Sequence, residues 1–149
     1  MTQQFWIGTV SKEHVERGKA GGFAQVCHGK CSPLKRMHPG DILVYYSPQL
    51  KFSEKTPYQC FTALGVVADK ESYQVEMTPD FHPYRRDIHY LKTVDAPIKP
   101  LLSELNFIRD KTKWGFVFRF GILKITQEDF VKIAQAMQLT QEQINDILS

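Results

Sequence analysis

The chain has 149 residues, 42% of them hydrophobic and 23% charged, and carries a formal net charge of +3. That length and balance suit one domain over residues 1–149 with a sizeable core, and they exclude a disordered chain. No apolar run reaches the roughly 18–20 residues of a bilayer span, so no membrane association is expected.

The predicted elements follow in chain order. Met1-Thr2-Gln3-Gln4 has no basic n-region, so no secretory signal is expected, and the expected location is the cytoplasm. Phe5 to Val10 is an apolar, β-rich run and predicts the first strand. Ser11 then stands as an N-cap, with a short helix from Lys12 to Lys19. Gly21-Gly22 is a hinge, and Phe23 to Cys27 a short extended segment. Ser32-Pro33 supplies an N-cap and a proline at the first helical position, predicting one helical turn to Met37. His38 to Asp41 is a turn.

Ile42 to Ser47 predicts a strand apolar on both faces, ended by Pro48, and a polar loop follows to Pro57. Tyr58 to Ala68 is a long strand and Tyr73 to Met77 a short one. Thr78 to Tyr84 is a loop, and Arg85 to Val94 alternates as a strand. Ile98 to Phe107 predicts a short helix, while Trp114 to Ile125, rich in Phe and Val, predicts a strand. Thr126 with Asp129 resembles a capping box for a helix to about Met137, and Thr140 with Gln143 opens a last helix. The order suggests an α+β domain built on a curled sheet or small barrel.

Charge is unevenly spread. Lys30, Lys35 and Arg36 have no carboxylate among residues 28–36. From Thr126 onward, Lys132 stands against Glu128, Asp129, Glu142 and Asp146, so the C-terminal helices should face away from a polyanion. Gly21 to Met37 combines glycines, Phe23, His28, these cations and no acidic residue. A positive field beside a flat aromatic suits a ligand with a phosphate and a base. The same composition also suits a Gly-rich loop followed by a solvated basic turn.

Cys27, Cys31 and Cys60 make an odd set and are expected as reduced thiols. Cys27-His28 with Cys31 lacks the second ligand pair of a structural zinc site, so no metal is expected. There is no Gly-x-Ser-x-Gly elbow, no His-Glu-x-x-His and no phosphate loop. Binding is therefore expected rather than turnover, with no catalytic residue and no cofactor assigned.

Several separated runs line up with one family. They are Trp6-Ile7 with Val10 to Val15; Gly21-Gly22-Phe23 with His28-Gly29-Lys30 and Pro33 to Met37; Gly40-Asp41 with Tyr45 to Pro48; Tyr84-Arg85-Arg86; and Trp114-Gly115. Together, over about residues 4–140, the chain resembles the EVE domain, a PUA-like family related to YTH and ASCH domains. The resemblance implies a PUA-like curled mixed β-barrel with peripheral short helices. It implies a nucleic-acid-binding module, expected as a monomer, that recognises a modified base of DNA or RNA in an aromatic and cationic pocket. The alternatives it leaves are a small hydrolase of modified nucleosides and an RNA-binding accessory protein in RNA modification.

The candidate ligand-binding residues are Trp6, Ser11, Gly22, Phe23, His28, Lys30, Tyr46, Ser47, Arg85, Arg86 and Trp114, with Lys30, Lys35 and Arg36 for phosphate. Each also has an ordinary reading. Trp6 and Trp114 suit the core, Ser11 a helix cap, His28 a plain surface position, and the lysines a solvated turn. Tyr45 and Tyr46 must lie on opposite faces of their strand, and Tyr46 is expected at the pocket. Lys30, Lys35, Arg36, Arg85 and Arg86 are expected to form one positive face.

Overall fold

The computed structural model describes residues 2–26 and 29–148. Its strands are β1 (Phe5–Thr9), β2 (Phe23–Ala24), β3 (Ile42–Gln49), β4 (Pro57–Val67), β5 (Tyr73–Gln74), β6 (Tyr84–Tyr90), β7 (Ala96–Pro97) and β8 (Ile122–Ile125). The helices are α1 (Lys12–Gly21), α2 (Cys31–Lys35), α3 (Gln127–Ala136) and α4 (Gln141–Ile147). The sheet runs β2-β6-β4-β3-β1-β8, with β5 added beside β6 and β7 beside β4. β1 and β3 are parallel, and the other pairs are antiparallel. The result is a mixed sheet curled into a half-barrel with short helices around it.

Both faces of the central strands are buried, which explains their near-continuous apolar sequence. Phe5, Ile7, Ile42, Val44 and Tyr46 join one core with Phe130, Ile133 and Ile144 of α3 and α4. Trp6, Leu43 and Tyr45 join the other with Val15 of α1, Leu34 of α2 and Ile88 of β6. The acidic C-terminal helices therefore pack on one face of the sheet, and α1 and α2 on the other.

Several boundaries differ from the sequence reading; β6, for example, ends at Tyr90 rather than Val94. α2 starts at Cys31 after Lys30, so Pro33 sits inside its first turn rather than at its first position. β3 continues through Pro48 to Gln49, because an irregular register between Ser47 and Gln49 relieves the proline of a ladder role. The Ile98 to Phe107 segment forms only a 3-10 turn over Lys99–Leu101 before further turns. The Phe-rich run is not a strand but a kinked 3-10 segment, Lys111–Phe120, turned into β8 by Gly121 at a φ of 77°. Its start is fixed by the Asp110 carboxylate, which accepts from the Thr112 backbone N–H at 3.0 Å. Phe118 folds down to stack on Tyr46, centroids 4.1 Å apart, so burial of one ring outweighs strand propensity across the run.

The caps behave as their residues suggest. Thr140 and Gln143 form a complete capping box. Thr126 accepts from the Asp129 N–H at 3.2 Å. The Asp129 carboxylate, however, turns away and accepts from the Asn106 and Phe107 N–H groups at 2.9 and 3.0 Å, tying that loop to α3.

Five tyrosines make folding sensitive to alkali, burial raising Tyr46 and Tyr90 as well as the three that follow. Burial pushes Tyr45 up to about 12; the hydrogen bond to Asp95 does the same for Tyr58, and burial with the bond to Asp87 for Tyr73. Phenols held neutral in the fold but ionised near pH 10 when unfolded stabilise the protein below 10, and that contribution disappears as pH rises toward about 12. The thermal midpoint is expected to hold up to about pH 10 and then fall steeply. Tyr58→Phe should soften that fall; a midpoint flat through the whole range would contradict the assignment.

Candidate functional site

A half-open cleft of about 930 Å³ lies where the end of β1, the start of α1, the β2 region, α2 and the end of the Lys111–Phe120 segment meet. Its size falls within the roughly 300–1,000 Å³ of small-molecule sites. Arg17, Lys30, Arg36, Arg85 and Arg119 border it, and no carboxylate does among the described residues. Arg17 is paired with Glu13 at 3.6 Å. Such a lining concentrates positive potential in a partly dry space.

The aromatic centre of the cleft is Phe23. Its ring carries the Arg85 guanidinium, 3.9 Å from the centroid, and Arg85 Nε donates to Gln25 Oε1 at 3.0 Å. The Phe23 carbonyl accepts from the Tyr90 hydroxyl at 2.8 Å, so backbone and ring are both held. The glycine pair before it has two separate uses. A Cβ on Gly21 would stand 2.4 Å from the Phe23 ring, so only glycine lets the ring lie against the end of α1. Gly22 takes a φ of 72° and closes α1 through its N–H to Gly18.

Polar groups inside the cleft are unusual. The Ser11 and Thr9 hydroxyls are buried and have no hydrogen-bond partner among the described residues, and both residues border the space. Ser11 precedes α1 but does not cap it with its side chain, so the start of the helix does not satisfy that buried hydroxyl. A buried hydroxyl without a partner costs roughly 1–3 kcal/mol, a cost a bound polar edge would remove. Tyr45 also lines the cleft; its oxygen accepts from the Gln25 N–H at 3.3 Å, and burial keeps it un-ionised.

The sequence candidates divide accordingly. Ser11, Phe23, Lys30, Arg36 and Arg85 border the cleft. Tyr46, expected there, is in the opposite core against Phe118, and Tyr45 takes the cleft position. The alternation was read correctly, but which face would be covered by the Phe-rich segment depends on contacts distant in sequence. Ser47 is buried and bonds Thr62 at 2.8 Å. Trp114 lies edge-on to Tyr46 at 6.4 Å, packed against the core rather than the cleft. Trp6 is buried, donating from Nε1 to Asp41 at 3.0 Å, while Arg36 lies 5.2 Å from its ring centroid and separates it from solvent. Gly22 sits at the end of α1 behind Phe23.

Arg86 corrects the expectation of one five-residue positive face. It is buried, its NH1 donating to the Leu34 and Met37 carbonyls at 3.2 and 2.8 Å. Burial lowers its pKa, partly offset by the charge of Asp41. Adjacent strand residues face opposite ways, so Arg85 at the cleft dictates Arg86 inside. Lys35 is exposed but does not border the cleft. His28 and Cys27 lie outside the described residues. Among the described residues, no three His, Cys, Asp or Glu side chains cluster as metal ligands, and no helix is long and apolar enough to cross a membrane.

Reading from sequence missed Thr9, Arg17, Gln25, Phe52, Arg119 and Phe120 at the cleft. The one usable signal was the interleaving of aromatics and cations in Lys111 to Phe120, which was spent on a strand assignment.

The curled mixed sheet with short helices around it is a PUA-like, YTH-like fold. The YTH domain of the Zygosaccharomyces rouxii MRB1 protein, solved in complex with N6-methyladenosine RNA, superposes with a TM-score of 0.61 at 12% identity, covering 93% of this chain and 89% of that one. Protein PSPTO5229 from Pseudomonas syringae gives 0.59 at 15% identity, covering 88% of this chain and 97% of that one. The EVE domain model matches residues 4–136. A UPF0310 protein of Mycolicibacterium vanbaalenii is 50% identical over 132 residues, 89% of this chain and 91% of that protein. The UPF0310 protein YdcG of Bacillus subtilis is 44% identical over 137 residues, 92% and 94% of the two chains. The chain belongs to the EVE domain family.

Proposed function

We propose that this chain is a nucleic-acid-binding module whose cleft receives one modified base from an unpaired or extruded nucleotide. The observation that carries the reading is the lining itself. Five cations, Phe23 and, among the described residues, no carboxylate line the cleft, and the buried Ser11 and Thr9 hydroxyls have no partner among those residues. Cations meet phosphate, an aromatic ring meets a base face, and hydroxyls meet a base edge. The fold neighbour solved with N6-methyladenosine RNA supports a base as the occupant.

Magnitudes set the conditions. Extruding a base from a duplex costs a few kcal/mol, while stacking on an aromatic returns roughly 1–3 kcal/mol. A buried methyl adds up to about 1 kcal/mol. These terms nearly cancel for a duplex, so the surplus must come from phosphate contacts of Lys30, Arg36 and Arg85.

The test is a titration of short single strands, each with one modified base, against unmodified counterparts. At least one modification is expected to bind about tenfold tighter or more. Phe23→Ala should abolish that preference. Equal affinity for modified and unmodified strands across a broad panel would overturn the reading.

A further inference from the structure

The most exposed large apolar side chains among the described residues are Phe120 (68%), Phe52 (63%) and Phe116 (55%). Phe120 and Phe52 both border the cleft. They reach it from unrelated places: Phe52 from the loop between β3 and β4, Phe120 from the end of the Lys111–Phe120 segment. Each is held in place. Phe52 lies parallel to His14 of α1, centroids 6.1 Å apart at 17°. Phe120 meets Phe116 edge-on at 6.1 Å, and Arg119 lies 5.2 Å from the Phe116 centroid. Exposed rings on the border of a cation-lined cleft match a single-stranded nucleic-acid platform, where bases stack while cations follow the backbone.

We infer that Phe52 and Phe120 stack the bases flanking the one seated in the cleft, so that the ligand is an unpaired segment of at least three nucleotides. This rests on the proposed base-binding cleft and extends it to the substrate class. The alternative for exposed phenylalanines beside cations is a membrane surface. Continuity with a half-open cleft lined by cations favours a strand instead, because a lipid surface would leave that cleft unused.

The experiment compares fluorescein-labelled hexadeoxyadenylate with the same hexamer made abasic at alternate positions, which keeps the phosphate charge. The unaltered protein should bind the fully based strand about tenfold tighter. Phe120→Ser and Phe52→Ser should each shrink that advantage while leaving the salt dependence and the thermal midpoint unchanged. An undiminished advantage in both variants overturns the inference. So does binding to anionic phosphatidylglycerol vesicles that either substitution abolishes.

Phe23→Ala separates the two readings. Sensitivity to Phe23→Ala without sensitivity at the rim keeps the cleft and removes the platform. Sensitivity at the rim alone keeps the platform and removes the cleft. No detectable binding of either hexamer removes the platform.

Discussion

Arg85→Glu should weaken binding of a short single strand by about 100-fold at moderate salt. Three losses combine. The guanidinium no longer covers the Phe23 ring, from which it now lies 3.9 Å. The proposed phosphate contact disappears, and a carboxylate enters a cleft that none lines among the described residues. A cation–π contact contributes about 0.5–1 kcal/mol at a partly exposed site, and a charge-assisted hydrogen bond about 1.5–3. With like-charge repulsion the sum approaches 3 kcal/mol, which is about 100-fold.

The salt slope should also fall, by about 0.7 for the single strand contact removed. Stability should change by about 1 kcal/mol, since among the described residues the Arg85 side chain is held in the fold by the Phe23 ring and one hydrogen bond to Gln25. Lys35→Glu is the matched control, because Lys35 is exposed away from the cleft. Anisotropy titrations at several salt concentrations read all three quantities. Equal losses for Arg85→Glu and Lys35→Glu would mean diffuse attraction to the surface rather than a site.

Asp41→Ala should be the most damaging single change to the fold, destabilising it by roughly 3–5 kcal/mol. Asp41 is buried, and its carboxylate accepts from the Gln4 N–H at 3.0 Å, the Trp6 indole N–H at 3.0 Å and the His38 N–H at 2.9 Å. It joins the start of β1 to the turn before β3, and its charge favours the buried Arg86 guanidinium. Alanine leaves several buried donors unpaired at roughly 1–3 kcal/mol each, a large share of the roughly 5–15 kcal/mol that holds a domain folded. A drop of about 10 °C in Tm is expected at this chain length.

Asp41→Asn should cost about half as much. Its carbonyl can keep the Trp6 and His38 bonds, but its NH2 group then faces the Gln4 N–H, donor against donor. Urea unfolding of the three proteins measures the order. An asparagine variant as unstable as the alanine one would show that charge on Asp41, rather than its acceptor geometry, is what the fold requires.

Particular residues show how far the sequence could be read. Phe23 and Arg85 stood out because a glycine pair before an aromatic and a paired arginine are local features, and both residues line the cleft. Ser11 was visible as the residue between strand and helix, although its hydroxyl does not cap α1. Arg86 was indistinguishable from Arg85, since alternation says that neighbours diverge and not which of them goes inward. Tyr45 and Tyr46 posed the same ambiguity. Phe120 was hidden inside a run whose composition argued for a strand.

The chain by itself determined its α+β class, the two-faced apolar strands, the capped C-terminal helices and the confinement of positive charge away from them. All of these follow from residue type, spacing of two or of about 3.6, and cap chemistry, which act within a few residues. Tertiary structure decided which face of β3 meets the cleft, which arginine is buried, and that the Phe-rich run folds over Tyr46 instead of extending. Each of those choices depends on what packs against the segment from far along the chain. At Tyr46 that partner is Phe118, 4.1 Å away in space and beyond the reach of any local pattern.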